Sequence, residues 1–124
     1  MDTLKKDIVA FVDSIAEDLL EVSHEIHAHP ELAFEEHQAA AVLTSAIERF
    51  DLPVERGSYG LETAFEAKFE TAAPGPSVAV LAEYDALPGI GHSCGHNLIA
   101  TSALGAALAL SHLRDQLCGT VTLL

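Results

Sequence analysis

Basic side chains are what this sequence has least of. Lysine and arginine number 6 against 19 aspartates and glutamates, so the 124-residue chain carries a formal net charge of -13 and an isoelectric point near 4.6. Phosphate backbones are held by Lys and Arg, so this shortage excludes nucleic acid from the expected partners. Anionic membrane surfaces are set aside for the same reason. Cysteine is scarce too: Cys94 and Cys118 are too few for a secreted disulfide scaffold. No apolar run is long. The longest weakly polar stretch, Leu98 to Leu110, falls short of the ~20 residues of a membrane span and is rich in small residues. The N-terminal Met1-Asp2-Thr3-Leu4-Lys5-Lys6 meets Asp7 and Asp13 too early for the apolar run of a signal peptide. The expected location is cytoplasmic. Some familiar chemistries are also missing. There is no G-x-S-x-G elbow and no P-loop, and Gly89-Ile90-Gly91 lacks the third glycine of a dinucleotide fingerprint.

Apolar content is not lacking. Hydrophobic residues make up 49% of the chain, too many for a disordered acidic tail. A chain of this length buries about two-thirds of the surface it exposes when unfolded, enough for one compact domain without disulfides.

The apolar positions Leu4, Ile8, Phe11, Ile15, Leu19, Val22 and Ile26 recur three or four apart, which predicts one long amphipathic helix stopped by Pro30. A second helix is predicted from about Glu35 to Phe50, burying Ala40, Leu43, Ile47 and Phe50, with Asp51-Leu52-Pro53 as its break. The period then changes to two. Leu61, Thr63, Phe65, Ala67 and Phe69 alternate with charged residues, a half-exposed strand. Val54 to Ser58 reads as a short partner strand turning at Gly57 to Gly60. Ala73-Pro74-Gly75-Pro76 reads as a tight turn. Val78 to Ala82 reads as a strand buried on both faces. A helix from about Asn97 to Leu113, apolar almost all round, leads through Gly119 to a last buried strand, Thr120 to Leu124. Strand, helix, strand in that order predicts an α/β sheet with helical layers. The chain stops inside its last apolar run, and the expectation is an N-terminal piece of a longer protein.

Chemistry-bearing residues gather in Glu83 to Asn97, between a strand end and a helix start. In open α/β sheets ligands bind beyond the carboxyl ends of strands. Glu83, Asp85, Cys94 and His96, with His92 nearby, offer carboxylate, thiolate and imidazole, donors suited to zinc or a related transition metal. Cys94 precedes a helix N-terminus, which favours its thiolate. A Cys-x-His pair by itself is a common coincidence, since cysteine is also a core residue. It also offers only two ligands where a catalytic site uses three and a water. As a Cys94/His96 protease dyad it is poorly disposed: two residues apart at a turn, the side chains converge on a third atom more naturally than on each other. His24, His27 and His29 are expected at a helix end, with the macrodipole. His112 has the same explanation, and Cys118 is expected to be a buried core thiol.

Leu81-Ala-Glu-Tyr-Asp-Ala-Leu-Pro-Gly-Ile-Gly-His-Ser-Cys-Gly-His-Asn97 resembles the metal-binding segment of the aminoacylase/carboxypeptidase-like amidohydrolases. It is most similar to the branch of p-aminobenzoyl-glutamate hydrolase and β-alanyl-lysine/Xaa-Arg dipeptidase. His27-Ala-His-Pro-Glu-Leu-Ala-Phe-Glu-Glu36 resembles the upstream signature, and the likeness spans essentially the whole chain. It implies a zinc-peptidase-like mixed sheet flanked by helices, with residues 1–124 as the N-terminal part of the catalytic domain. It also implies a hydrolase of an N-acyl amino acid or dipeptide that uses two divalent ions, zinc or manganese, and works as a homodimer. Cys94 and His96 match the first two metal ligands, and Asp85 matches the aspartate that orients the metal site. Glu83 stands where the wider family commonly has Asp. The remaining ligands, the general base and an inserted dimerisation domain would lie downstream, leaving this stretch inactive alone. The alternative is a free-standing metal-binding or interaction module without catalysis.

Overall fold

The computed structural model describes residues 2–124. It is a mixed α/β fold: a four-stranded sheet with helices packed on it. The first apolar stripe forms two helices rather than one, α1 (Asp2–Ser14) and α2 (Ala16–Ala28). The break is at Ile15, whose backbone N–H is shared between the carbonyls of Phe11 and Val12, both at 3.2 Å. Beside it the Ser14 hydroxyl donates to the Phe11 carbonyl at 2.6 Å. A serine bonding back onto the preceding turn competes with the helical ladder and bends it. Periodicity survives such a kink, because Ile15 stays buried on the same stripe.

Helix α3 (His37–Arg49) starts without a side-chain bond from its own N-cap, Glu36. Glu31 does that work instead: its carboxylate accepts from the backbone N–H groups of Gln38 and Ala39 at 2.8 and 2.9 Å. Two free amide donors and the positive end of the helix are satisfied together. Leu43 and Ile47 are fully buried as expected, with Ala39, Thr44 and Ala46 added; Ala40 and Phe50 are only half-buried.

Strand β1 (Glu55–Arg56) pairs antiparallel with β2 (Phe65–Glu70), and β2 pairs antiparallel with β4 (Cys118–Leu123). β4 pairs in parallel with β3 (Ala73–Val80), giving the order β1-β2-β4-β3. Helix α4 (His96–His112) makes the β3–α4–β4 crossover. Phe65, Ala67 and Phe69 of β2 and Val121 and Leu123 of β4 bury one face of the sheet in a core shared with Leu104, Leu108, Ile26, Leu43 and Ile47. Burying each large aliphatic or aromatic side chain contributes about 1.5–3 kcal/mol.

Three expectations change here. Ala73-Pro74-Gly75-Pro76 is not a turn but the first half of β3, carried by a register shift between the Ala73–Cys118 and Ser77–Thr120 pairs. The two prolines lack N–H donors, which is tolerated because β3 is an edge strand. For the same reason Val78 to Ala82 is not buried on both faces: Val78 is 48% exposed and Leu81 62%. Cys118, at the start of β4, is exposed rather than a core thiol. No helix is long and apolar enough, among the described residues, to cross a membrane.

Candidate metal centre

The sheet carries the chain to the site. β3 and β4 stay paired past their ends, with Leu124 N–H donating to the Val80 carbonyl at 2.9 Å and Ala82 N–H to the Leu124 carbonyl at 2.7 Å. Glu83 and Asp85 therefore leave from a fixed point at the carboxyl end of β3. The upstream histidine-rich segment is laced onto the same loop. Ala86 N–H donates to the Glu31 carbonyl at 2.7 Å, and Leu32 and Ala86 form an isolated parallel bridge. The loop closes at Gly95, where φ is +81°, a left-handed conformation that costs glycine little. That residue separates Cys94 from His96 and begins α4. The start of α4 is tied to α2 by the Asn97 amide, which donates to the Ser23 hydroxyl at 3.0 Å.

His96 stands between two carboxylates. Its Nδ1 lies 2.7 Å from Asp85 Oδ1 and 3.0 Å from the Asp85 carbonyl. Both are acceptors, so Nδ1 carries a proton and donates. Its Nε2, on the opposite edge of the ring, lies 3.2 Å from Glu83 Oε2. The His96 side chain is 21% exposed, Asp85 31% and Glu83 57%, so the site opens to solvent on the Glu83 side. A carboxylate on one imidazole nitrogen fixes the tautomer and ring orientation and makes the other nitrogen a better ligand.

His92 is the second unusual group. Its ring is buried, and neither nitrogen has a hydrogen-bond partner. Burial foremost, then the charges of His27 and His96, pushes its pKa below the ordinary imidazole value, with Asp85 and the nearby Ile26 backbone opposing. The His27 ring lies 6.3 Å away between centroids. Of the upstream histidines, His27 is thus brought to the loop. His29 turns back to Glu25 at the end of α2, with Nδ1 3.2 Å from the carboxylate.

Sequence reasoning placed Asp85 and His96 together, and they are in contact. Cys94 is exposed, and among the described residues no three His, Cys, Asp or Glu side chains form a group that could hold a metal ion. Asp85 and Glu83 contact opposite edges of the His96 ring, so these two carboxylates do not converge on one nitrogen. Two acidic residues of the upstream signature have structural work that spacing did not reveal. Glu31 caps α3, and buried Glu36 accepts from the Thr63 hydroxyl at 2.8 Å. Glu36 also borders a cavity of about 340 Å³ that reaches Glu83 and Asp85, with Phe34 and Tyr59 on its rim.

No family model matches the chain. It is 43% identical over 89% of its length to human Xaa-Arg dipeptidase, and 33% identical over 90% to a subunit of the p-aminobenzoyl-glutamate hydrolase of Escherichia coli. A Bacillus subtilis structure, described as a dinuclear metal-binding peptidase of the M20 family, superposes on 90% of the chain with a TM-score of 0.82 and 27% identity. The chain belongs to the M20 family. It spans 28% of the human M20 relative, 27% of the E. coli one and 34% of the B. subtilis structure. The M20 relatives named here are hydrolases, and their names cover a dipeptidase, a hydrolase of an acyl amino acid and a peptidase that binds two metals.

Proposed function

We propose that the protein at its full natural length is a metal-dependent hydrolase cleaving the amide bond of an N-acyl amino acid or dipeptide. The observation that carries this reading is the His96 ring, whose Nδ1 is held by Asp85 at 2.7 Å while Nε2 is turned toward the open side. In this reading residues 1–124 are the N-terminal part of the catalytic domain. The rest of that domain, the carboxylate general base and a dimerisation domain lie outside them, and the enzyme works in the cytoplasm as a homodimer.

The residues fit a divalent cation such as zinc or manganese. The loop supplies thiol, imidazole and carboxylate donors, and His92 keeps two buried nitrogens that the protein does not satisfy. When bound, two such cations polarise the scissile carbonyl and lower the pKa of the attacking water. His96 offers Nε2 as a ligand, and Asp85 holds the Nδ1 proton so that Nε2, not Nδ1, points outward. Cys94, just before α4, offers its sulfur where the helix N-terminus favours the thiolate. The cavity beside Glu83 and Asp85 takes the substrate, with Phe34 and Tyr59 at its rim excluding water from one side.

Replacing Cys94 by Ser in the full-length protein is expected to abolish stoichiometric metal and dipeptide hydrolysis together. Metal analysis and a product assay on the same preparation check this. Unchanged turnover overturns the assignment.

A further inference from the structure

Two aromatic side chains stand where the backbone disfavours them. The Glu35 N–H donates to the Leu32 carbonyl at 2.9 Å, closing a turn whose third residue, Phe34, has φ +68°. The Leu61 N–H donates to the Ser58 carbonyl at 3.1 Å, closing a second turn in which Tyr59 and Gly60 have φ +59° and +74°. Turn positions with positive φ are ordinarily filled by Gly, Asn or Asp, and a bulky residue there is an outlier. Core packing does not explain either choice, since Phe34 is 73% and Tyr59 69% exposed. Backbone strain that a fold maintains at its surface points to a use for the side chains it carries.

Both turns are pinned. The Phe34 turn lies between Glu31, which caps α3, and Glu36, which accepts from the buried Thr63 hydroxyl. The Tyr59 hydroxyl donates to the Glu66 carboxylate on β2. Together with Leu61 the two rings line the cavity of about 340 Å³ that reaches Glu83 and Asp85. The charge of that lining decides which end of a substrate enters. Glu36, Glu83 and Asp85 are acidic, and among the described residues no Lys, Arg or His lines the cavity. Like charges repel, so the free carboxylate of an N-acyl amino acid or dipeptide faces away from it. The acyl or N-terminal side then faces in, where a flat apolar group gains both burial and ring contact.

We propose that Phe34 and Tyr59 are specificity-determining residues whose rings flank a flat apolar group on the acyl or N-terminal side of the substrate. This rests on the hydrolase reading above and adds to it the pair of side chains that selects among its substrates. The competing role is that of two surface residues that touch no ligand.

Asparagine separates the roles, because it tolerates a left-handed turn and removes the ring. The full-length protein, supplied with zinc or manganese, is assayed on N-benzoyl-L-alanine against N-acetyl-L-alanine, and on L-Phe-L-Ala against L-Ala-L-Ala. The wild type is expected to prefer the aromatic member of each pair in kcat/KM. In Phe34→Asn and in Tyr59→Asn that preference falls about 10–100-fold, the worth of burying one ring, and Tm is not lowered. Tyr59→Phe, which keeps the ring and loses the bond to Glu66, retains the preference. Benzamide binding, followed by saturation-transfer NMR with acetamide as the control, reads the same subsite without turnover and is lost in both asparagine variants. A wild type with no aromatic preference, or asparagine variants that keep the wild-type ratio, overturns the inference and leaves the hydrolase reading standing. If none of the four substrates is cleaved, the hydrolase reading falls. Benzamide then decides the inference alone: binding that both asparagine variants lose upholds the subsite, and any other result overturns it.

Discussion

Tyr84 shows how much a single side chain in this loop depends on packing. Its hydroxyl donates to the Thr63 carbonyl at 2.6 Å, and its ring stacks on Phe65 with centroids 5.9 Å apart. Burial first, then the nearby Glu36 charge, pushes its pKa up to about 12 from the ordinary tyrosine value. The folded state therefore favours the neutral phenol. That contribution is fully present below pH ~10 and is lost as pH rises through about 12. In a Tyr59→Phe variant, which leaves Tyr84 as the remaining tyrosine, tyrosinate absorbance is expected to rise near pH 12 rather than 10. Ionisation at the ordinary value would show that Tyr84 is not held as described. Residue type was legible in the sequence at Asp85 and His96, because a Cys-x-His beside two carboxylates advertises its chemistry. The contacts were not. Nothing local in the sequence marks the partners of Glu31, Glu36 and Asn97; the fold puts α3 amides, Thr63 and Ser23 against them.

At the level of elements, the crossing of β3 and β4 is the most demanding piece of geometry. Gly119 has φ +105°, and a Cβ there would sit 2.0 Å from the Pro76 carbonyl oxygen; one on Gly75 would meet the Cys118 backbone at 2.8 Å. These are backbone atoms, so neither neighbour yields cheaply. Gly119→Ala is expected to destabilise the fold by more than 3 kcal/mol, roughly the top of the range for single substitutions, or to prevent folding. Chemical denaturation monitored by circular dichroism checks it, and a loss under about 1 kcal/mol would mean the strands do not cross this closely. Pro-Gly-Pro is read locally as a turn because each residue favours one. What overrides it is the register shift against β4, a pairing between segments more than forty residues apart. The split of the first helix at Ile15 belongs here too: a period of 3.6 identifies the buried face but is blind to a kink that preserves it.

For the molecule as a whole, charge matters most. A net charge of -13 with 6 basic residues leaves most carboxylates without a partner, and self-repulsion destabilises the compact state. Raising ionic strength shortens the screening length from about 30 Å at 0.01 M to about 3 Å at 1 M. Tm is therefore expected to rise by several degrees with sodium chloride, measured by thermal melts at fixed pH. A falling Tm would mean that ion pairs such as Arg56–Glu48, at 2.6 Å, outweigh the repulsion. The same scale explains why β3 departs from its apolar pattern. A continuous apolar run normally marks a strand covered on both faces, yet here it forms a sheet edge with Val78 and Leu81 exposed, in a chain spanning about a third or less of its relatives. By itself the sequence determined the element types outside Ala73–Pro76, the buried stripes of α2, α3 and β2, and the donors in the loop, because these depend on periodicity and residue chemistry within short windows. Tertiary structure alone decided which strand lies at the edge, which acids cap and which face His96, and how far apart Glu83 and His96 stand. Those depend on distances between segments that the chain brings together only when it folds.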